Sequence, residues 1–207
     1  MLEVEKRVLL TNSNLFQATI LDLATLNYKT KRFTMVNVSH SNFQPDPNRL
    51  IDLKVRTTGD TGTIVTKYGN WHSDASRQEY EIKFKTLDLG NLLNTLKLLG
   101  YKYYVSTYIT RTLYTYNDFR LTFDQYHSME ATIFEIELNV ENKDEVVEAE
   151  HRIDSFLLEH SLKPLNSKET IELISRMNSI PECQVNFDTL DVDHWLNTHH
   201  EFVWCQK

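Results

Sequence analysis

The stretch LEVEKRVLL at residues 2–10 alternates between charged and apolar side chains. Successive side chains of an extended strand point to opposite faces. Glu3, Glu5 and Arg7 therefore share one face, and the two valines share the other. The same alternation returns further along the chain, in SRQEYEIKFK at 76–85, DFRLTFD at 118–124 and IFEIEL at 133–138. The pattern predicts a sheet with one charged face and one apolar face.

The secondary structure is expected to mix strands and helices in one domain. Alternation and turn residues predict strands at 2–10, 32–38, 50–57, 61–68, 76–85, 102–116, 119–126 and 132–140. Apolar spacing and capping residues predict helices at 14–28, 86–99, 144–161, 167–177 and 191–199. Asn142 and Ser167 are the expected caps of the third and fourth helices. About eight strands joined mostly by turns indicate an α+β fold with a large antiparallel sheet or barrel.

The composition limits the class of protein and its partners. The 207 residues carry a formal net charge of -7, which argues against an extended nucleic-acid surface because such surfaces are basic. The chain has two cysteines, Cys183 and Cys205, and no long apolar run. We expect a cytoplasmic protein with reduced thiols and no membrane contact. A homodimer is left open, since the aromatic tail could form a dimer contact.

The charged faces allow two interpretations. A half-buried antiparallel sheet can turn its charged face to water. Three strands, however, carry two carboxylates that lie two residues apart, and such carboxylates repel unless a cation offsets them. Carboxylate oxygens suit Mg²⁺ or Mn²⁺, and a divalent cation beside Lys and Arg is a common way of holding polyphosphates. The pairs are Glu3 with Glu5, Glu79 with Glu81, and Glu135 with Glu137.

The order of the motifs resembles the CYTH family, the triphosphate tunnel metalloenzymes, whose hallmark is an N-terminal ExExK. EVEKR at 3–7 matches that motif, with Arg7 in place of the usual Lys. Later family motifs are similar to LKVR at 53–56, TIVTKYG at 63–69, SRQEYEIKF at 76–84, LGYKYY at 99–104, ITRTLYTY at 109–116, DFRLTFD at 118–124, IFEIEL at 133–138 and NSKETIEL at 166–173. The resemblance implies, over residues 1–175, a closed antiparallel β-barrel of about eight strands with flanking helices, whose charged faces point into a tunnel. Residues 176–207 would form a C-terminal extension packed on the same domain.

The resemblance also implies roles for the charged residues of these motifs. Eight basic side chains are expected to bind the phosphates: Arg7, Lys54, Arg56, Lys67, Arg77, Arg111, Arg120 and Lys168. A first Mg²⁺ or Mn²⁺ is expected at Glu5, Glu135 and Glu137. Four further carboxylates would complete that site or serve a second ion: Glu3, Glu79, Glu81 and Asp124. The residues expected to act in catalysis are Glu3, Glu5, Arg7, Lys67, Glu79 and Lys168.

The family includes class IV adenylate cyclases, thiamine triphosphatases and inorganic triphosphatases. The resemblance therefore implies metal-dependent hydrolysis of inorganic triphosphate or a related small triphosphate. The first alternative is a class IV-type adenylate cyclase that forms cyclic AMP and pyrophosphate, because the same residues would hold ATP for attack by its own 3′-hydroxyl. The second is a catalytically weak module that binds triphosphates or nucleotides. Arg7 and Lys54 depart from the commoner residues of the family, and these departures bear on the substrate more than on the fold.

Overall fold

The computed structural model describes residues 2–10, 24–39, 42–70, 76–129 and 131–199. The strands in these ranges are β1 (Leu2–Leu10), β2 (Thr25–Ser39), β3 (Ile51–Thr58), β4 (Thr61–Tyr68), β5 (Ser76–Lys85), β6 (Tyr103–Tyr116), β7 (Phe119–Tyr126), β8 (Ala131–Val140) and β9 (Gln184–Asn186). The α-helices are α1 (Leu89–Leu98), α2 (Val146–Glu159), α3 (Ser167–Asn178) and α4 (Val192–Thr198). Short 3₁₀ turns occupy Thr86–Asp88, Lys143–Glu145 and Pro181–Cys183. Among the helices described, none has the length and apolarity to cross a membrane.

Eight of the strands form a closed ring. Their order is β2-β3-β4-β5-β1-β8-β7-β6, and β6 pairs in turn with β2. That closing pairing is long, since it runs from Thr25 opposite Thr115 to Ser39 opposite Tyr103. The three-residue β9 adds to β6. The prediction of a closed antiparallel barrel of about eight strands with flanking helices is therefore confirmed.

The helices cover part of the apolar outer surface of the barrel. α2 lies against β1 and β8, where Val4 and Phe134 pack with Ile153 in one buried cluster. α1 and α4 bury a second cluster, in which Met35 and Trp195 belong to the same core. Burying a large apolar side chain stabilises a fold by roughly 1.5–3 kcal/mol. These two clusters hold the apolar faces against the helices, so the opposite, charged faces point into the barrel.

Helix α3 crosses one end of the barrel. Just before it, the Leu165 amide donates to the Arg7 carbonyl of β1 over 2.8 Å. At its other end, the Gln184 side chain donates to the Asn178 carbonyl over 2.7 Å, and Gln184 pairs with Val105 of β6. The helix therefore runs from β1 to β6, which lie on different sides of the ring, and its inner face closes this end.

The predicted helix over 14–28 is wrong at its C-terminal end. Thr25–Tyr28 belongs to β2, with Thr25 opposite Thr115 and Tyr28 opposite Leu113 of β6. Pairing with a strand far along the chain has outweighed the local apolar spacing, as tertiary context commonly does. The remainder of that prediction, up to residue 23, lies outside the described residues.

The predicted caps of two helices also need correction. Asn142 makes no capping bond to the helix backbone, because a 3₁₀ turn over Lys143–Glu145 separates it from α2. At α3 the cap is Asn166 and not Ser167. The Glu169 amide donates to the Asn166 side chain and the Glu169 carboxylate accepts from the Asn166 amide, both over 2.9 Å. This reciprocal capping box begins at Asn166, one residue before the expected cap.

Candidate active site

The inner faces of the strands and α3 enclose a cavity of about 590 Å³. Its size is that of a small-molecule site. The interpretation that the charged faces turn to bulk water is therefore wrong. The predicted site residues that line the cavity are Glu3, Glu5, Arg7, Lys54, Arg56, Lys67, Arg77, Glu79, Glu81, Arg111, Arg120, Asp124, Glu135 and Glu137.

Lys168 is the one predicted site residue that does not line the cavity. Its side chain is 84% exposed on the first turn of α3, and its Nζ lies 3.8 Å from Glu172 Oε1. The cavity side of α3 is formed instead by residues such as Thr170, Leu173 and Met177. The phase of the helix thus turns Lys168 toward solvent.

A group of three carboxylates forms where β1 meets β8. Glu5 lies directly opposite Glu137, and one carboxylate oxygen from each of Glu3, Glu5 and Glu137 falls within 4.8 Å of the others. Glu137 is buried and its Oε2 has no hydrogen-bond partner. Arg120 Nη1 approaches that atom to 3.3 Å without the geometry of a hydrogen bond. A buried carboxylate oxygen that accepts no hydrogen bond and lies beside two further carboxylates fits a hard divalent cation.

The two opposed carboxylates differ in protonation. Burial raises the pKa of Glu5, but Arg7, Lys67 and Arg77 outweigh it and hold that pKa well below its usual range. Arg7 Nη2 lies 2.5 Å and Arg77 Nη2 3.0 Å from Glu5 Oε1. Burial, and then repulsion from neighbouring glutamates, raises the pKa of Glu137 to about 8. Glu5 is therefore charged at neutral pH, whereas Glu137 is mostly protonated at that pH when no cation is bound.

Glu135, expected in the first metal site, is bound by two arginines. Arg7 Nε lies 2.8 Å from Glu135 Oε1, and Arg111 Nη2 lies 3.4 Å from Oε2. Burial raises the pKa of Glu135, but Arg7 and Arg111 lower it to about 2. Arg111 also forms a bidentate ion pair with Asp124, in which Nε donates to Oδ1 over 2.6 Å and Nη2 donates to Oδ2. These carboxylates orient the guanidinium groups of the cavity wall.

Glu79 holds a lysine in the same way. Lys67 Nζ lies 2.9 Å from Glu79 Oε2 and 3.4 Å from Glu5 Oε2, and it also binds Glu3. Burial lowers the pKa of Lys67, but Glu5, Glu3 and Glu79 together raise it above its usual value. The ammonium group therefore joins the carboxylate cluster to β5 and stays charged.

Arg32 lines the cavity although it was not predicted to do so. The register places it diagonal to Arg56 on β3 and to Arg111 on β6. Its Nη1 is buried without a hydrogen-bond partner. Burial, and then Arg111 and Arg56, lower its pKa to about 10. The alternation in RFTMVNV places Arg32 and Thr34 on one face, but the next residue on that face is the apolar Val36. The segment therefore lacks the repeated charges that indicated the other charged faces.

Asp52 is a second residue that the sequence analysis missed. It is buried, with Oδ2 at 3.2 Å from Lys54 Nζ and 3.4 Å from Arg77 Nη1. Arg49 Nη2 lies 3.5 Å from its Oδ1. Burial raises the pKa of Asp52, but these cations lower it below its usual range. Asp52 precedes Lys54 by two residues on the same strand face, so alternation could have indicated it. Other lining residues not predicted include Lys83 and Tyr126.

The family comparison covers most of the chain. The sequence profile of the CYTH domain matches residues 1–168. Among curated proteins, none matches this sequence. Among solved structures, the chain is similar to a candidate adenylate cyclase from Vibrio parahaemolyticus, with 12% identity and a TM-score of 0.61 over 79% of this chain and 90% of that one.

Two further structures show the range of proteins that share the fold. A candidate adenylyl cyclase from Hippeastrum that reveals a dominant triphosphatase activity is 13% identical, with a TM-score of 0.50 over 79% of this chain and 89% of that one. A chain of the Schizosaccharomyces pombe Mediator head module is 12% identical, with a TM-score of 0.55 over 80% of this chain and 98% of that one. Identities this low show a common fold, and the chemistry must be argued from the site.

Proposed function

The chain belongs to the CYTH family, and from this premise we propose that it is a divalent-metal-dependent hydrolase of a linear triphosphate bound inside the barrel. One observation carries the proposal. The same cavity holds a cluster of three carboxylates, at Glu3, Glu5 and Glu137, in which Glu137 Oε2 accepts no hydrogen bond. It also holds a group of neighbouring guanidinium groups, at Arg32, Arg56 and Arg111. These two features are complementary to a divalent cation and to phosphate oxygens, respectively.

The guanidinium groups are suited to bind phosphates. Asp124 and Glu135 hold Arg111 in place, so its planar fork is already oriented before a ligand enters. Arg32 carries an unpartnered donor, and a phosphate oxygen would both satisfy it and relieve its repulsion from the neighbouring cations. Preorganised donors of this kind stabilise charge that develops during reaction without further reorganisation.

The carboxylate cluster would hold one Mg²⁺ or Mn²⁺ through Glu3, Glu5 and Glu137. When bound, the ion would neutralise phosphate charge and polarise a phosphoryl oxygen. Arg7 and Arg77 both bind Glu5 and thereby set its orientation. Hydrolysis requires a water molecule in line with the leaving phosphate oxygen, and in such reactions positioning and charge neutralisation provide most of the rate.

Residues 176–199 support a single domain that extends past the family match. β9 pairs with β6 of the barrel, and Trp195 belongs to the core that covers β2 and β3. We therefore propose that this part of the C-terminal extension is integral to the barrel domain. A cytoplasmic location and a homodimer stay predictions from sequence.

The test is to incubate the purified protein with tripolyphosphate, ATP and thiamine triphosphate, each with Mg²⁺ or Mn²⁺, and to separate the products by anion-exchange chromatography. We expect release of phosphate or pyrophosphate from at least one substrate and none in EDTA. Cyclic AMP with pyrophosphate as the products of ATP would identify a cyclase instead. Tight binding of every triphosphate without turnover would identify a binding module.

Two variants connect the reaction to the site. Glu5→Gln removes a charged member of the carboxylate cluster and should abolish metal-dependent turnover. Glu159→Gln makes the same chemical change on the exposed C-terminal turn of α2 and should leave turnover unchanged. Equal activity of the two variants would contradict the assignment of the cluster.

A further inference from the structure

One edge of β5 is only partly paired. On one side β5 pairs with β4 from Gln78 to Lys85. On the other side its pairing with β1 involves only Ser76 and Arg77. Within the residues that the structure describes, no strand pairs with this second side of β5 beyond Arg77. The backbone groups of a strand edge without a neighbour can pair with another chain. We name residues 79–85 on this side of β5 the open edge.

The side chains of the open edge are exposed as well. On the outer face of the sheet, Tyr80 is 57% and Ile82 is 65% exposed, although both are large and apolar. Tyr68 of the neighbouring β4 is 55% exposed on the same face. The helices bury apolar side chains on other parts of the barrel and leave this part uncovered. Exposed apolar side chains beside an unpaired strand edge are typical of an interface with another protein.

The sequence of the open edge indicates which partner would pair with it. Residues 79–85 read EYEIKFK, with two carboxylates before Ile82 and two ammonium groups after it. If two copies pair antiparallel around a two-fold axis at Ile82, residues at equal distances from Ile82 face each other. Every charge of one copy then faces an opposite charge of the other. The facing pairs would be Glu79 with Lys85, Tyr80 with Phe84, and Glu81 with Lys83.

Neighbouring registers lack this complementarity. An axis at Glu81 would place two glutamates opposite each other, and an axis at Lys83 would place two lysines opposite each other. Like charges that face each other destabilise a sheet. Charged side chains on an exposed edge ordinarily prevent pairing, and a partner strand of uniform charge would meet a like charge on one half of this edge. The order of the charges therefore favours an antiparallel copy of the same segment.

We infer that the open edge is an interface with a second copy of this chain, paired antiparallel through β5 around a two-fold axis at Ile82. The apolar contacts lie on the outer face of the joined sheet. The opposite-charge pairs lie on the inner face, because Glu81 and Lys83 line the cavity. The sequence analysis left a homodimer open through the aromatic tail, and the inferred interface lies on β5 instead. The inference does not depend on the proposed reaction.

The experiment measures the mass of the full chain in solution by sedimentation equilibrium over a range of micromolar concentrations. We expect a monomer–dimer equilibrium for the unaltered protein. Ile82→Arg places two like charges on the two-fold axis and should weaken dimerisation by about tenfold or more. Leu158→Arg makes the same change at another exposed apolar position, on α2, and should leave the equilibrium unchanged.

Two charge reversals test the register. Lys83→Glu alone places glutamates opposite each other, and Glu81→Lys alone places lysines opposite each other, so each variant should be monomeric at concentrations where the unaltered protein dimerises. A mixture of the two variants should form a heterodimer, since each glutamate of the first then faces a lysine of the second. The double variant, which exchanges the two charges within one chain, should dimerise again.

Three results would overturn the inference: a monomer at every concentration, a dimer that Ile82→Arg leaves intact, or a mixture of the two charge variants that stays monomeric. The first result needs only the unaltered protein. If a charge variant fails to fold, which circular dichroism would reveal, Ile82→Arg and its control Leu158→Arg decide whether the open edge is the interface.

Discussion

Glu5 on β1 and Glu137 on β8 lie directly opposite each other inside the barrel, with side chains that are 9% and 5% exposed. Like charges at directly opposed positions destabilise a sheet. The fold resolves this conflict by surrounding Glu5 with cations and leaving Glu137 protonated. The pair therefore holds one negative charge when no metal is bound and can hold a second when a cation displaces the proton.

The first prediction concerns the pH dependence of stability without metal. The folded protein keeps the Glu137 proton up to its pKa of about 8, whereas the unfolded chain releases it near 4.5. Between these values the folded state binds more protons, so the free energy of unfolding should fall as pH rises, by up to about 1.4 kcal/mol per pH unit. Glu137→Gln should lack this contribution. Urea unfolding in EDTA at several values from pH 5 to pH 8 measures it.

The difference between wild type and Glu137→Gln isolates this group from the others. Glu5, Glu135 and Asp52 have lowered pKa values, so their contributions change mainly below the chosen window and at its acid end, where the unfolded carboxyl groups titrate. Stability from Glu137 is fully present below about pH 4.5 and is lost as pH passes its raised pKa. Parallel stability curves for the two proteins from pH 5 to pH 8 would show that Glu137 is not protonated in the folded state.

The strands and their faces could be predicted from sequence, because a period of two is a local property. Whether a charged face points inward could not be derived from alternation. It depends on ring closure through β2 and β6, which are separated along the chain by three strands and α1. The family resemblance provided that information. The helix over 14–28 illustrates the same limit, since its last residues pair with β6 as a strand.

The sequence predicted which residues line the cavity better than it predicted which of them contact one another. Nearly all the expected residues line the cavity, because motif spacing determines their strand face. The carboxylate oxygens that lie within 4.8 Å of one another belong to Glu3, Glu5 and Glu137, whereas Arg7 and Arg111 bind Glu135 across strands. Such contacts depend on the distances between paired strands, which the sequence of one strand does not determine. The orientation of Lys168 depends likewise on the phase of α3 against the barrel.

The second prediction separates the metal cluster from its neighbours. At pH 8.5 Glu137 is mostly ionised, and Glu3→Gln, Glu5→Gln and Glu137→Gln should each weaken Mn²⁺ binding by about tenfold or more, because each removes a charged ligand. Glu135→Gln should weaken it less, since Glu135 is not among the three carboxylates whose oxygens lie within 4.8 Å of one another. Calorimetric titration with MnCl₂ measures the affinities, and Glu159→Gln is the exposed control. A larger loss from Glu135→Gln than from Glu3→Gln would restore the cluster expected from sequence.

The third prediction gives Arg32 opposite effects on binding and on stability. Its unpartnered donor and its cationic neighbours make it unfavourable in the free protein and favourable when phosphate is bound. Arg32→Gln should weaken tripolyphosphate binding by about tenfold or more, the scale of a charged hydrogen bond, and should raise the melting temperature of the free protein. Lys29→Gln, an exposed change on the same strand, should alter neither. A lower melting temperature for Arg32→Gln would show that Arg32 has a structural role.

The fourth prediction concerns the ion pair that fixes the cavity wall. Arg111 forms a bidentate ion pair with Asp124 through Nε and Nη2, and both residues are buried. Asp124→Asn leaves a buried guanidinium with only the more distant Glu135 carboxylate, so the free energy of unfolding should fall by about 3 to 5 kcal/mol. Asp118→Asn removes the partner of the exposed Arg152 and should cost less than about 1 kcal/mol. Urea unfolding at pH 7 measures both.

A double variant tests whether the cost arises from the unpaired charge. Arg111→Met with Asp124→Leu removes both charges and keeps most of the volume, so it should be more stable than Asp124→Asn alone. If Arg111 binds phosphate as proposed, the double variant should nevertheless bind tripolyphosphate more weakly than wild type. If the double variant is less stable than the single variant, the ion pair itself stabilises the pairing of β6 with β7. The cost of Asp124→Asn would then not arise from the unpaired buried charge.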